Sequence, residues 1–301
     1  MKEEPIIEQA DSLALEKNKL NGERENELEK ESLVEYLQEI SGTESLSEQE
    51  SILRSKLEAQ LKALSYTTSV DGAGNLWGTP PDDDTANLQR EIILCAHMDK
   101  VGAPRTAEVD GNKLVGRLDD ALGISVILQV IKNGLRPSVL FTVEEEGGVE
   151  EIVDGKSKTM RRIASSGRYS NGARVASQNL SEQERKPRLL AVVEVTKKSK
   201  PGEGPVIYTS AGYGTPGKQE YFDVQKIKKI AKIINKKKYG AMYTEGRPND
   251  SMIFATVPDM GVIAIEMPLL NMHTANEEGD YRDVEKTIRI VEDILNNADK
   301  I

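Results

Sequence analysis

Apolar residues recur along the chain in two different patterns. In residues 31–40 and 47–64 they follow a helical spacing, as Leu33, Leu37 and Ile40 illustrate. Further along the chain, four short runs are almost continuously apolar and rich in valine and isoleucine, which is typical of buried strands in a parallel sheet. These runs are residues 91–96, 138–143, 189–195 and 261–267.

Helices are predicted before, between and after these strands. Residues 121–134 and 222–240 have a helical pattern, and each ends at a glycine. Asp283 is predicted to start a C-terminal helix, and the pair Ser47 and Glu50 has the spacing of a capping box at the start of an earlier one. Alternating strands and helices predict a three-layer α/β/α domain around a mixed, mostly parallel sheet.

Two segments fall outside this alternation. Residues 1–28 are highly charged and have no sustained apolar period, so we expect a tail that carries no chemistry. Residues 150–187 are polar, and we expect an insertion or a long loop in a single domain that spans residues 29–301. We expect four arginines of this segment to form a solvated surface; the alternative is a lid, or an anchor for a substrate carboxylate. These arginines are Arg161, Arg162, Arg168 and Arg174.

Charge and hydropathy narrow the class of protein. The chain has 301 residues and a net charge of −10, which argues against a general nucleic-acid binder. Seven lysines between residues 226 and 238 are expected to be a solvated helix face, because no aromatic residues interleave with them. No apolar stretch approaches the roughly 18 residues of a membrane span, and the N-terminus lacks the apolar segment of a signal peptide. We therefore expect a cytoplasmic protein with no nucleic-acid or membrane partner.

The residues that bind metals most often are scarce. The chain has one cysteine, Cys95, which excludes an internal disulfide and any cysteine-rich zinc motif, and we expect it to lie in the core. It has two histidines, His97 and His273, and each follows a predicted strand. Any metal site must therefore take its remaining ligands from carboxylates.

Acidic residues gather at the same strand ends. In an open α/β sheet the carboxyl ends of the strands form one edge, where ligands bind. Each acidic residue alone has an ordinary explanation, such as a helix cap or a solvated charge run. Together they predict a cation site, because several carboxylates beside two imidazoles are unfavourable unless a cation offsets their charge. The residues concerned are His97, Asp99, Asp119, Asp120, Glu144, Glu145, Glu146, Glu194 and His273.

This set fits two divalent ions, with zinc preferred and cobalt or manganese as alternatives. Each ion would receive one imidazole and one carboxylate, and a further carboxylate would bridge the two. The predicted ligands are His97, His273, Glu146, Glu194 and, as the bridge, Asp119. Glu145 is then left as the general base, which takes a proton from the bridging water and passes it to the leaving amine. Asp99 is placed to hold the other ring nitrogen of His97.

Six motifs in this order resemble the di-zinc exopeptidases and deacylases of the M20, M28 and M42 type. They are residues 93–102, 116–123, 141–148, 191–196, 247–251 and 271–277. They are most similar to the M42 glutamyl-aminopeptidase branch, from about residue 31 to the C-terminus. The resemblance implies the zinc-peptidase-like fold and the same ligand, base and orienting residues. It also implies a cis peptide between Asp119 and Asp120 and a supporting role for Asp250.

Three features depart from that family pattern. The stretch from His97 to Asp119 is too short for the β-rich domain that M42 members carry there, so the chain resembles a catalytic domain alone. The stretch from Glu146 to Glu194 is about twice the usual family length. Glu194 also stands where aminopeptidases of the family more often have aspartate and the carboxypeptidases and deacylases more often have glutamate.

The sequence thus predicts a metal-dependent exopeptidase acting on small peptides, with aminopeptidase activity favoured. A carboxypeptidase or N-acyl amino acid deacylase is the alternative, so the expected partner is a small peptide or an N-acyl amino acid. A non-catalytic binding protein with the same fold is a further alternative, against which the complete ligand set argues. Whether the chain forms a homo-oligomer stays open.

Overall fold

The computed structural model describes most of the chain after the charged tail. The described residues are 30–82, 88–147, 149–154, 157–162, 169–208, 210–211, 220–221, 223–234, 239–244 and 249–301. The tail predicted at residues 1–28 lies outside them. None of the helices in these ranges is long and apolar enough to cross a membrane.

The described helices alternate with strands along the chain, as the sequence predicts. The helices are α1 (30–41), α2 (Ser51–Ala63), α3 (Ala121–Lys132), α4 (Asn171–Glu182), α5 (Val224–Ile233), α6 (Asp250–Phe254) and α7 (Tyr281–Asn296). The first eight strands are β1 (Thr67–Val70), β2 (Leu76–Thr79), β3 (Ile92–His97), β4 (Glu108–Asp110), β5 (Lys113–Gly116), β6 (Ser138–Thr142), β7 (Val149–Asp154) and β8 (Ser157–Arg162). The others are β9 (Leu189–Thr196), β10 (Val206–Tyr208), β11 (Ser210–Ala211), β12 (Glu220–Tyr221), β13 (Met242–Thr244), β14 (Gly261–Pro268) and β15 (Glu277–Asp280).

An eight-stranded sheet forms the centre of the molecule, in the order β1-β2-β6-β3-β9-β14-β10-β13. Its four inner strands β6, β3, β9 and β14 run parallel to one another, while β2 and β10 join them antiparallel. These four strands coincide with the four predicted apolar runs. Every residue of β3, β9 and β14 is buried, which explains why those runs show no polar alternation. The predicted mixed, mostly parallel sheet is confirmed.

Helices cover both faces of this sheet. Along β3 successive side chains alternate between two apolar clusters, with Leu94 in one and Ile93 and Cys95 in the other. The cluster that contains Leu94 also holds buried residues of α1, α2, α3 and α7. The second cluster holds buried residues of α4 and α6. The layers are therefore helix, sheet and helix, as predicted.

The start of α2 differs from the prediction. The predicted capping box is wrong, because α2 begins at Ser51 and Glu50, not Ser47, precedes it as the cap residue. The Ser47 hydroxyl donates to Asp99 Oδ2 at 2.5 Å. Glu50 occupies the cap position and makes no side-chain cap bond. Its carboxylate reaches away from α2 and accepts from the backbone N–H of Glu144, just after β6. Two residues expected to start a helix thus bind the segments that follow β3 and β6.

Two other helix boundaries also differ from the prediction. Helix α7 begins at Tyr281, and its cap is Asp280 rather than the predicted Asp283. The Asp283 carboxylate instead accepts two backbone N–H groups from the turn before β10. Helix α5 ends at Ile233, so the described helix is shorter than the prediction of 222–240.

The polar segment at residues 150–187 is not a structureless loop. It contains the antiparallel pair β7 and β8 and the twelve-residue helix α4. The structure buries Ala173, Ala176 and Leu180 of α4 against the second apolar cluster. The loop prediction is wrong for these residues because the apolar face of α4 is short and is built partly from alanine, which gives a weak periodic signal.

Candidate metal centre

The carboxyl edge of the central sheet brings the predicted site residues together. His97 ends β3, Glu145 and Glu146 follow β6, Glu194 lies near the end of β9, and His273 follows β14. Asp119 lies in the loop between β5 and α3. The convergence follows from the parallel arrangement of the four inner strands, which end at the same edge.

Asp119 lies between the two imidazoles. His97 Nε2 is 3.2 Å from Asp119 Oδ1, and His273 Nε2 is 3.4 Å from Asp119 Oδ2. His273 Nε2 is also 3.1 Å from Glu146 Oε1. One carboxylate therefore faces two histidines from different strands, which is the arrangement a bridging ligand needs.

Two overlapping groups of donor atoms can each hold a metal ion. One group is His97, Asp119 and Glu194, and the other is Asp119, Glu146 and His273. Within each group the donor atoms lie within 4.8 Å of one another. A third group combines His97 with Glu145 and Glu146. Imidazole nitrogen and carboxylate oxygen are the donors that zinc accepts, so the residues fit the predicted ions.

The buried state of Asp119 supports that fit. Its Oδ2 atom is buried and meets no hydrogen-bond donor in good geometry within the described part of the chain. A buried carboxylate oxygen without a partner is costly, and a cation satisfies it. The donor chemistry and this oxygen therefore indicate the same kind of ligand.

The carboxylates change the electrostatics of both histidines. Burial alone would lower the pKa of an imidazole, but the carboxylates in contact with it stabilise the charged form. Close contacts with the carboxylates of Asp119 and Glu146 raise the pKa of His273 to about 10. Contacts with Asp119 and Asp99 raise the pKa of His97 well above its ordinary value.

The acidic residues also perturb one another. Burial, followed by repulsion from Glu146, raises the pKa of Glu145 well above its ordinary value. Burial and the charge of Glu145 do the same for the pKa of Glu194. Carboxylates held this close favour the neutral form unless positive charge is brought among them. The cluster is therefore electrostatically suited to bind cations.

Asp99 links His97 to the segment after β6. His97 Nδ1 lies 3.0 Å from the main-chain oxygen of Asp99 and 3.3 Å from its Oδ1. The same carboxylate accepts the backbone N–H groups of Glu145 and Glu146, at 2.9 and 3.1 Å. Ser47 donates to it as well. Asp99 thus lies where it can orient His97, and it also fixes the backbone of two other site residues.

Glu277 is a supporting residue that the sequence reasoning missed. It is fully buried, and its Oε2 accepts the backbone N–H groups of Leu118 and Asp119 at 2.5 and 3.0 Å. Its Oε1 accepts the N–H of His273 at 2.8 Å. Burial, with the charge of Asp119 nearby, raises the pKa of Glu277 to about 7. The only sequence signal was its place at the end of the 271–277 motif.

The loop that carries Asp119 has the features that the resemblance implied. The Asp119–Asp120 peptide is cis. The Asp120 side chain accepts the N–H of Gly123 at 2.9 Å and so caps α3. Asp250, also named by the resemblance, is buried and accepts the Thr142 hydroxyl at 2.6 Å.

A cavity of about 290 Å³ opens onto the cluster. Its described lining is Asp119, Glu145, Glu146, Tyr169, Ser170, Glu194, Asn249, Met252, Met272 and His273. Glu145 is partly exposed, whereas Glu146 and Glu194 are buried, so Glu145 is the more accessible carboxylate. Of Arg161, Arg162, Arg168 and Arg174, only Arg174 has a described side chain. It donates to the main-chain oxygen of Tyr169 and is not in this lining.

Comparison with known proteins gives a match at the level of structure. No protein-family model matches the sequence, and no curated protein matches it. An aminopeptidase from the archaeon Desulfurococcus kamchatkensis aligns over 87% of this chain and 94% of its own, with 15% identity and a TM-score of 0.66. The aminopeptidase PepT from Bacillus cereus aligns over 90% and 99%, with 13% identity and a TM-score of 0.62.

A third structure is the TET1 peptidase of Pyrococcus horikoshii, which can assemble into a tetrahedron or a large octahedral shell. It aligns over 87% of this chain and 99% of its own, with 16% identity and a TM-score of 0.61. At these identities the likeness establishes the fold. The chain has the α/β fold of these aminopeptidases, and the resemblance that the six motifs indicated is confirmed at that level.

Proposed function

We propose that the protein is a metal-dependent exopeptidase that acts on small peptides, with aminopeptidase activity favoured. The observation that carries the proposal is the position of Asp119, which belongs to both groups of potential ligands. A bridging carboxylate with one imidazole and one carboxylate on each side is the donor set of a two-ion hydrolase. Proteins with the same fold are described as aminopeptidases.

The proposed ligands are those of the two overlapping groups. His97, Asp119 and Glu194 would hold one ion, and Asp119, Glu146 and His273 the other. Zinc is preferred, with cobalt or manganese as alternatives. When bound, such ions polarise the scissile carbonyl and lower the pKa of water.

Glu145 is the proposed general base. Glu145 is partly exposed at the cavity. Partial loss of solvent around its carboxylate, followed by the charge of Glu146, raises its pKa, which favours proton uptake. It would accept a proton from the attacking water and return it to the leaving amine. Asp99 would keep His97 oriented through its ring Nδ1.

The charge of the cavity favours an aminopeptidase over the alternatives. Four carboxylates and one imidazole are in its described lining, and no lysine or arginine is among those residues. Three of these carboxylates are proposed metal ligands, whose charge the ions would offset, so the argument rests on the lack of a lysine or arginine. Without such a side chain the described lining offers no fixed cation for the carboxylate that a carboxypeptidase must bind. Glu194, where relatives more often have aspartate, keeps a carboxypeptidase or N-acyl amino acid deacylase as the second candidate.

The experiment that separates these candidates is a substrate panel. The zinc-loaded protein would be assayed with aminoacyl-anilides, N-blocked peptides and N-acyl amino acids. We expect hydrolysis of the aminoacyl-anilides and none of substrates with a blocked amino group. Preferred hydrolysis of N-acyl amino acids would show that the second candidate is correct.

Assembly and location are separate parts of the proposal. The Pyrococcus horikoshii TET1 peptidase forms shells, and we include a homo-oligomer of this chain in the proposal on the strength of the shared fold. Light scattering tests it, and a monomer at all concentrations would contradict it. A cytoplasmic location and the absence of nucleic-acid and membrane partners remain predictions from the sequence.

A further inference from the structure

The start of helix α4 is bonded to the backbone segment that carries Glu145. Three backbone N–H groups at the beginning of the helix donate to three successive carbonyl groups after β6. The bonds run from Ser170 to Glu145, from Asn171 to Glu144 and from Gly172 to Val143, at 3.1, 3.2 and 3.1 Å. We call these three bonds the α4 clamp. The helix belongs to the segment that the sequence marks as an insertion, and its packing against the second apolar cluster does not by itself connect it with the site.

The clamp has a simple physical origin. The first N–H groups of any helix have no carbonyl partner within that helix. In α4 the helical bonding begins with Arg174, whose N–H donates to the carbonyl of Ser170 at 3.0 Å. The N–H groups of Ser170, Asn171 and Gly172 are satisfied by the segment after β6. That segment therefore supplies the cap that α4 lacks, since Ser170 makes no side-chain cap bond.

The same segment is also held through its own N–H groups. Glu50 accepts the N–H of Glu144, and Asp99 accepts those of Glu145 and Glu146. The peptide groups on both sides of Glu145 are thus bonded. The backbone that carries the base has little freedom to shift while the clamp is in place.

Gly172 and Asn75 make this close approach feasible. A Cβ atom on Gly172 would lie 2.5 Å from the carbonyl oxygen of Val143 and 2.3 Å from Asn75 Oδ1, which is closer than real Cβ contacts. The Asn75 side chain joins the two halves of the clamp. Its Oδ1 accepts the N–H of Val143 at 3.1 Å, and its Nδ2 donates to the carbonyl of Gly172 at 2.9 Å. Asn75 is completely buried.

We propose that the α4 clamp, with Gly172 and Asn75 at its centre, positions the general base Glu145 for catalysis. This inference rests on the proposed function. Neither residue lines the cavity, so both are positioning residues that act through the backbone of the base. The polar insertion would then contribute to catalysis through the helix at its end.

The first test is Gly172→Ala, which places a methyl group inside the clamp. We expect kcat to fall about 10- to 100-fold, because small displacements of a reacting group have effects of that size. KM should change less than about twofold and the metal content should equal that of the wild type. Gly72→Ala is the matched control, because a Cβ at Gly72 meets no atom within 4 Å. It should have wild-type kinetics.

A double-mutant cycle separates positioning from a general loss of stability. Glu145→Asp moves the same carboxylate and leaves a measurable rate. If Gly172→Ala acts by displacing that carboxylate, the double variant should lose much less activity than the product of the two single losses. Losses that multiply would overturn the proposal, and so would a normal kcat or a loss of metal in Gly172→Ala.

A second variant covers the case in which Gly172→Ala does not fold. Asn75→Ala removes both side-chain bonds across the clamp, and we expect the same fall in kcat and the same interaction with Glu145→Asp. Its control is Tyr66→Phe, which removes a buried hydrogen bond to the carbonyl of Pro137. Pro137 precedes the amino end of β6, whereas Glu145 follows its carboxyl end. A wild type that binds two ions but hydrolyses no peptide would instead contradict the proposed function. If the wild type is active and the losses of the two single variants multiply in the double variant, only this inference is contradicted.

Discussion

At the scale of single residues, carboxylates of the same type take different roles because their surroundings differ. Asp119 is buried between two imidazoles, Asp99 accepts three hydrogen bonds, and Glu145 is partly exposed at the cavity. The Asp99 carboxylate is already satisfied by the protein, and the Asp119 carboxylate is proposed to bind the metal ions. Glu145 is the one that can exchange a proton with a molecule in the cavity.

Replacement of the base tests that difference directly. Glu145→Gln keeps the shape of the side chain but cannot accept a proton. We expect kcat to fall by about 10²- to 10⁴-fold, the usual contribution of a general base, with unchanged metal content. Kinetics with an aminoacyl-anilide and elemental analysis of the same sample measure both. Full activity in the variant would show that another residue is the base.

The pH dependence of stability provides a test at Glu50. Burial, with Asp99 nearby, raises the pKa of Glu50 to about 7. Its proton is then bound in the folded state and lost from the unfolded chain above about pH 4.5. The stability contributed by Glu50 is therefore fully present below that pH and is lost as the pH rises through about 7.

Glu50→Gln removes this dependence, because the amide is neutral and keeps an oxygen that can accept the same N–H groups. The free energy of unfolding of the variant, minus that of the wild type, should increase by about 2–3 kcal/mol as the pH rises from 4.5 to 7.5. Urea unfolding at several pH values measures the difference. The exposed Glu184→Gln is the control and should show no such trend. A parallel pH dependence in Glu50→Gln and the wild type would contradict the assignment.

At the scale of elements, the sequence predicts the strands that a local apolar pattern determines. It does not predict the helix caps, because residues far away in the sequence determine what the side chains bond to. The strands β3, β6, β9 and β14 are predicted by their apolar runs because burial on both faces leaves a continuous signal. The prediction of a helix cap at Ser47 is wrong: α2 begins at Ser51, and the Ser47 hydroxyl bonds to Asp99, 52 residues away. The predicted cap at Asp283 is also wrong, since the Asp283 carboxylate binds the turn before β10. Nothing around Gly172 in the sequence reveals its contact with Asn75.

Helix α2 gives a stability test at this scale. Its buried face is formed by Leu53, Leu57 and Leu61, while Ile52 is 53% exposed. Leu57→Ala should lower the free energy of unfolding by about 2–5 kcal/mol, because it leaves a cavity in the core. Ile52→Ala is the control and should change it by less than about 0.5 kcal/mol. Equal losses in denaturant unfolding would contradict the described face.

At the scale of the whole molecule, the site exists because four parallel strands and one loop meet at the same sheet edge. His97, Glu146, Glu194 and His273 could be placed there from the sequence, since each comes at or after a predicted strand. Asp119 was predicted as the bridging carboxylate of the same set. The residues that hold this arrangement were not predicted. Glu277 and the α4 clamp act through backbone groups that come together only in the fold.

The central claim is that this edge binds two divalent ions through a shared aspartate, and metal content tests it most directly. Protein purified without a histidine tag would be reconstituted with zinc, dialysed and measured by elemental analysis. We expect two equivalents per chain in the wild type and a clear loss in Asp119→Ala, since that residue belongs to both ligand groups. A wild type that binds no metal even after reconstitution with zinc, cobalt or manganese would contradict the account.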